Sequence, residues 1–254
     1  MQPLQRGNVR LAATVMLVRD SSDGLQVYMI KRPGRGDFPD LHVFPGGKLE
    51  ANDWNPGLCE GLSDEDASSF MGIDSGGLRY WFCVARECFE ECGVLLATTA
   101  DGQFLASDKR LELALKARQD LLAGTLDWAV FLESNDLVIM TERLVYFSHW
   151  ITPEAAPKRF DTRFFLAAMP DAQKALSDTS ETADEGQWIK PQLALNLYEE
   201  KEWLMIDPTL RSLEALVAFD SVEKAISGVR AAEHVIPWTE DLGRQGMQPR
   251  SSRL

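Results

Sequence analysis

The stretch Arg86-Glu87-Cys88-Phe89-Glu90-Glu91-Cys92-Gly93-Val94 decides the reading of this chain. At 100° per residue, Glu87, Glu90 and Glu91 fall within about 100° of arc on a helix. Trp81, Ala85, Cys88 and Cys92 form an apolar stripe on roughly the other side. The pattern predicts a helix over 78–92 that docks by this stripe, presents three carboxylates together and ends at Gly93, a good C′ residue. Like charges at these spacings cost about 0.2–0.5 kcal/mol per pair, and anions near a helix C-terminus face the unfavourable end of the macrodipole. Taken alone, such a face reads as a solvated surface. Its placement points elsewhere, because it follows a Phe44-Pro45-Gly46-Gly47 turn and the helix ends at once in glycine and an apolar run. Three hard oxygen donors on one rigid face suit Mg²⁺ or Mn²⁺. A divalent ion would offset the repulsion and polarise a phosphoryl oxygen.

Outward from this helix, strands and helices mix without a regular βαβ beat, which predicts a mixed sheet covered by helices. Residues 9–32 read as a hairpin, with the turn at Ser21-Ser22-Asp23-Gly24. Residues 33–41 read as a loop, and His42-Val43-Phe44 as a short strand. Residues 50–77 are polar, carry a Ser63-Asp64-Glu65-Asp66 cluster, and read as a surface insertion that admits a short helix. Strands are expected at 94–97, 143–151, 160–168 and 188–189, and helices at 107–123, 127–133, from Pro191, and at 207–219 and 221–232. The tail from 243, rich in Gly, Arg, Ser and Gln, reads as flexible.

Composition bounds the class. The 254 residues fit one large, decorated domain. With 26 basic and 39 acidic residues the net charge is −13, which argues against broad nucleic-acid binding. No run approaches the ~18 apolar residues of a membrane span, and Met1 to Arg10 carry no apolar leader. Four cysteines make no disulfide scaffold, and the spacing of Cys83, Cys88 and Cys92 does not suit zinc; reduced thiols in a cytoplasmic setting are expected. The final Ser252-Arg253-Leu254 is similar to a peroxisomal address, should the source be eukaryotic.

At the central helix the chain resembles the Nudix hydrolase family. Gly47 would open the family's box, G-x5-E-x7-R-E-U-x-E-E-x-G-U, and Arg86, Glu87, Cys88, Glu90, Glu91, Gly93 and Val94 match its second half. Two departures stand out. Asp53 occupies the position of the first glutamate, and 32 residues separate it from Arg86 where the box has seven. Such an insertion, here about 54–77, resembles the branch of the peroxisomal coenzyme A diphosphatases. The segments Tyr28 to Pro33, His149 to Pro153, Arg159 to Phe165 and Gln187 to Ile189 agree with that branch.

The resemblance implies an α/β/α sandwich with a mixed sheet, a box insertion and a helical C-terminal extension, as a single domain over 1–242. It implies metal ligation by Glu87, Glu90, Glu91 and the Gly46 carbonyl, with Arg86 orienting the glutamates. Catalytic roles fall to Glu90, Glu91 and Arg86, and a further acid beyond the box would be Glu181 or Glu185; a solvated acidic loop is the alternative for both. Asp53 is short for its position after so long an insertion. Lys31, Arg32, Arg159 and Arg163, together with Arg35 and Lys158, are cations for a phosphorylated substrate or ordinary surface charges. Phe160, Phe164 and Phe165 read as core, and His149 as structural rather than as a base. The implied reaction is metal-assisted hydrolysis of coenzyme A or acyl-coenzyme A to 3′,5′-ADP and a 4′-phosphopantetheine product. The alternatives are ADP-ribose, a dinucleotide or another nucleoside-diphosphate-linked substrate, or a silent nucleotide-binding module. The oligomeric state is not legible.

Overall fold

Seven of the residues from Leu11 to Val18 are apolar, the exception being Thr14, so consecutive side chains bury themselves on opposite faces of one strand. The computed structural model places this run at the centre of the fold. It describes residues 4–35, 39–105, 109–176, 185–231 and the backbone of 237–239. In chain order the strands are β1 (Gln5–Arg6), β2 (Val9–Ser21), β3 (Gly24–Lys31), β4 (His42–Val43), β5 (Gly46–Lys48), β6 (Cys59–Glu60), β7 (Thr98–Thr99), β8 (Leu137–Met140), β9 (Val145–Ile151), β10 (Arg159–Ala168), β11 (Gln187–Ile189) and β12 (Pro237–Thr239). The helices are α1 (Asp64–Met71), α2 (Leu78–Cys92), α3 (Lys109–Leu122), α4 (Trp128–Ser134), α5 (Pro191–Glu199), α6 (Asp207–Leu216) and α7 (Val222–Ala231).

The main sheet runs β11-β3-β2-β10-β9-β12, with β1 and β5 paired to β2 and β4 to β3. β2 pairs parallel with β10 from Val9↔Arg159 to Val18↔Ala168, while β3 and β5 meet it antiparallel at its two ends. On one face Ala13, Val15 and Leu17 pack with Trp81, Ala85 and Cys88 of α2. On the other, Met16 and Val18 pack with Leu213, Leu216, Ala225 and Val229 of α6 and α7. The result is the expected α/β/α sandwich with a helical C-terminal layer.

Several local expectations are corrected. The stripe read on α2 understates its burial: only Arg79, Glu87 and Glu90 are not fully buried, because α1 and the small β6-β8-β7 sheet pack where solvent was expected. Val94–Ala97 is buried but is not a strand. Its backbone is satisfied by a side chain, since Gln173 accepts from Leu95 N–H at 2.8 Å and donates to Leu95 C=O at 3.1 Å. Strand β8, unseen in the sequence, anchors the region read as a surface insertion, pairing parallel with Cys59-Glu60. The insertion also holds α2. The Asp64 carboxylate accepts from Gly76 N–H at 2.9 Å and Leu78 N–H at 3.0 Å, satisfying donors at the start of that helix. Among the described residues no helix is long and apolar enough to cross a membrane.

Candidate active site

The Gly46-Gly47 pair brings two elements together that any side chain would hold apart. A Cβ at Gly46 would strike the Ala13 carbonyl oxygen on β2, and one at Gly47 would overlap the Glu87 carboxylate. β5 therefore lies flat on β2, and Glu87 reaches across it. Gly46 N–H donates to Glu91 at 2.6 Å, fixing the second carboxylate.

Behind these two sits Arg86, with 6 % of its surface exposed. Its guanidinium donates to both carboxylate oxygens of Asp53, at 2.8 and 2.9 Å, and to the Lys48 carbonyl at 3.1 Å. The remaining edge meets Glu90 at 2.7 Å and Glu87 at 3.0 Å. Asp53, 1 % exposed, thus reaches the arginine despite its short side chain. At the C-terminus of α2, Arg118 donates to the Glu90 carbonyl at 3.0 and 2.7 Å, placing a cation where the macrodipole favours one. Burial pushes the Glu87 carboxyl up to about 8; Arg86 opposes the rise, and Glu91, Glu90 and Asp53 add to it. Burial also raises Glu90, against the pull of Arg86.

Glu87 and Glu91 open onto a cavity of about 1040 Å³. Glu50 joins them there, a carboxylate the sequence reading passed over. Arg32 and Arg35 form another wall, and the Arg32 guanidinium donates to the Gly46 carbonyl at 3.1 Å. The start of α6, Asp207 to Thr209, closes a further side. Val43, Phe44, Trp150, Phe160, Phe164 and Met205 supply apolar surface. Among the described residues, no three His, Cys, Asp or Glu side chains converge on a point that could hold a metal. The fit to a divalent cation is one of chemistry and placement: hard oxygen donors, crowded and buried, whose negative charge is poorly solvated.

The expected site residues divide. Arg86, Glu87, Glu91, Gly46 and Arg32 come together. Glu90 is turned to Arg86 and does not line the cavity. Arg163 is corrected: it is 2 % exposed beneath the sheet, donating to Tyr146 Oη at 2.7 Å and the Met71 carbonyl at 3.1 Å. Its odd position in β10 points it to the α2 face, whereas Phe160, Thr162 and Phe164 point to the cavity, so Phe160 and Phe164 are pocket residues as well as core. Lys31 and Arg159 stand beside the cavity without lining it; Arg159 donates to the Thr152 carbonyl at 3.0 Å. Glu185 is exposed and apart from the cavity, and Glu181 lies outside the described residues, as does the tail from 243. His149 is structural, its ring 2.6 Å from Asp161, and burial lowers its pKa. No residue of the 54–77 insertion lines the cavity.

A family model described as the NUDT19 Nudix domain matches residues 64–216. The protein named Acyl-coenzyme A diphosphatase NUDT19 of Xenopus laevis is 24% identical over 241 residues, covering 81% of this chain and 63% of that protein. Its Homo sapiens counterpart is 26% identical over 252 residues, with 79% and 63% covered. The Putative nudix hydrolase 7 of Caenorhabditis elegans is 29% identical over 184 residues, with 72% and 52% covered. The chain therefore spans less than two thirds of the length of these relatives. The crystal structure of a NUDIX hydrolase from Alicyclobacillus acidocaldarius superposes with a TM-score of 0.72 at 24% identity, covering 86% of this chain and 96% of that one, a likeness of fold.

Proposed function

The chain belongs to the Nudix hydrolase family, and from that premise we propose that it cleaves the diphosphate of coenzyme A or acyl-coenzyme A, releasing 3′,5′-ADP and a 4′-phosphopantetheine product. The observation that carries this reading is the composition of one cavity. It holds carboxylates on α2, the cations Arg32 and Arg35, and a broad apolar wall. Coenzyme A combines the same three needs, a diphosphate, further anionic phosphate and a long, largely uncharged arm. The names of the frog and human relatives add support.

A divalent cation, Mg²⁺ or Mn²⁺, held by Glu87 and Glu91 with Gly46 O as a further donor, would neutralise charge building on the phosphate oxygens. The chain's own groups do the rest. Arg86, clasped by Asp53, fixes the rotamers of Glu87 and Glu90. Gly46 N–H fixes Glu91. Arg32 and Arg35 face the phosphates, and the apolar wall excludes water from the rest of the substrate. Water attacks one phosphorus, the bond from that phosphorus to the bridging oxygen breaks, and the proton passes to one of the cavity carboxylates, Glu50, Glu87 or Glu91. Residues 1–242 act as one domain on this reading, which the packing of α5 to α7 on the sheet supports. The free thiols suit a reducing compartment.

The test is a hydrolysis panel of free coenzyme A, short and long acyl-coenzyme A, ADP-ribose, NADH and a diadenosine polyphosphate with Mg²⁺ or Mn²⁺, products identified by mass. Metal-dependent release of 3′,5′-ADP is expected. Cleavage confined to the other substrates would discard coenzyme A and keep the family chemistry. A panel with no turnover would favour a silent binding module.

A further inference from the structure

One cross-strand row of the sheet forms a continuous strip of cavity floor. Lys48 on β5 pairs with Ala12 on β2, Ala12 with Thr162 on β10, and Thr162 with Trp150 on β9. All four residues line the cavity. The row begins beside Gly47, where the Glu87 carboxylate lies, and reaches β9. Along it the chemistry changes from charge to apolar surface. Trp150 is joined at the far end by Ile151, Pro153 and Phe160, with no charged side chain of the cavity wall on β9 or β10.

The length of the row is set by geometry. Three inter-strand spacings of about 4.8 Å separate β5 from β9, about 14 Å in all. In a phosphopantetheine arm about 13 bonds lie between the phosphorus and the sulfur; extended as a peptide-like chain, it spans about 15 Å. A diphosphate held at the carboxylates would therefore place the sulfur over β9, beside Trp150.

From this match we propose that Trp150, Ile151, Pro153 and Phe160 form an acyl subsite, which makes the thioester-linked acyl chain, and not the nucleotide alone, a determinant of specificity. The proposal rests on the coenzyme A reading above and deepens it. The half-buried Trp150 ring is held in place, its Nε1–H donating to Ser148 Oγ at 3.0 Å. An acyl chain on this face removes apolar area from water, whereas the free thiol of coenzyme A removes little. The subsite therefore discriminates by chain length until its apolar surface is covered.

The experiment compares kcat/KM for free coenzyme A with butanoyl-, octanoyl- and hexadecanoyl-coenzyme A, each read as 3′,5′-ADP by mass. Wild-type protein is expected to favour octanoyl-coenzyme A over free coenzyme A by about tenfold or more, the scale of a few buried methylenes. Trp150→Ala should reduce that ratio by about fivefold, and Trp150→Phe, which keeps an apolar wall, should restore most of it. Binding of octanoyl-coenzyme A against free coenzyme A by calorimetry, with chelator present, should show the same order. An equal ratio in wild type and both variants, with 3′,5′-ADP formed throughout, overturns the subsite and leaves the coenzyme A reading standing. Absence of 3′,5′-ADP from every substrate overturns both.

Discussion

The two ends of the cavity are built on opposite principles. At the α2 end, charge is concentrated and the carboxylates of the helix are tied. Arg86 binds Asp53, Glu87 and Glu90, Glu50 N–H donates a further bond to Asp53, and Gly46 N–H holds Glu91. At the β9–β10 end the surface is apolar, set by alternation along two strands, with the Trp150 ring bonded to Ser148 Oγ. The first end is precise because buried charge tolerates only satisfied geometry. The second is permissive, since apolar contact scales with area and not with angle.

The largest effect that would break this contrast is at Glu91. Glu91→Gln keeps an oxygen to accept from Gly46 N–H yet removes the negative charge, so steady-state turnover should fall by about 10²- to 10³-fold with the fold intact. Unchanged turnover would remove Glu91 from the metal-binding set. Next comes the clasp. Asp53→Ala leaves a buried guanidinium without its bidentate partner and should cost about 3 kcal/mol in urea unfolding, whereas Asp53→Glu should recover most of that if the inserted backbone can yield.

A smaller effect comes from pH. The Glu87 carboxyl titrates near 8 in the fold against an ordinary 4.5, chiefly because it is buried. Between those values the folded chain binds more protons than the unfolded chain, so stability falls as pH rises through that window. In chelator, the Tm should be lower at pH 8 than at pH 6 by about 5 °C or more, and Glu87→Gln should flatten the difference. Thermal scans at the two pH values decide it. The smallest effect sharpens the comparison from outside the cavity. Asp64→Ala removes the cap on α2 and should cost about 1 kcal/mol, read by thermal unfolding, without changing the ratio between long- and short-chain substrates.

The α2 end was legible from the sequence because its information is local. Glu87, Glu90 and Glu91 lie within one turn, Gly93 marks the helix end, and the Gly46-Gly47 pair announces a close approach. The row leading to the other end is assembled from residues 48, 12, 162 and 150, and only strand register brings them together; no spacing along the chain encodes it. The same limit explains Arg163 and Phe164. Both read as plausible site or core residues, and only the face of β10 on which each falls separates them. Arg118 and Gln173 escaped notice because each acts on backbone atoms far away in sequence, at Glu90 and Leu95. The insertion read as surface, and Glu60, Glu65, Asp66 and Asp74 are exposed as expected; what stayed hidden is that Asp64 and the Cys59-Glu60 strand reach partners distant in sequence.

The parallel pairing of β2 with β10 also sets a timetable for biosynthesis. Val9 meets Arg159, about 150 residues later in the chain. At about 5–20 residues per second, the central strand waits roughly 8–30 s on the ribosome before its main partner has been made. During that interval Leu11 to Val18 present an unpaired, sticky edge, so newly made chains should depend on a holding chaperone far more than the finished fold does.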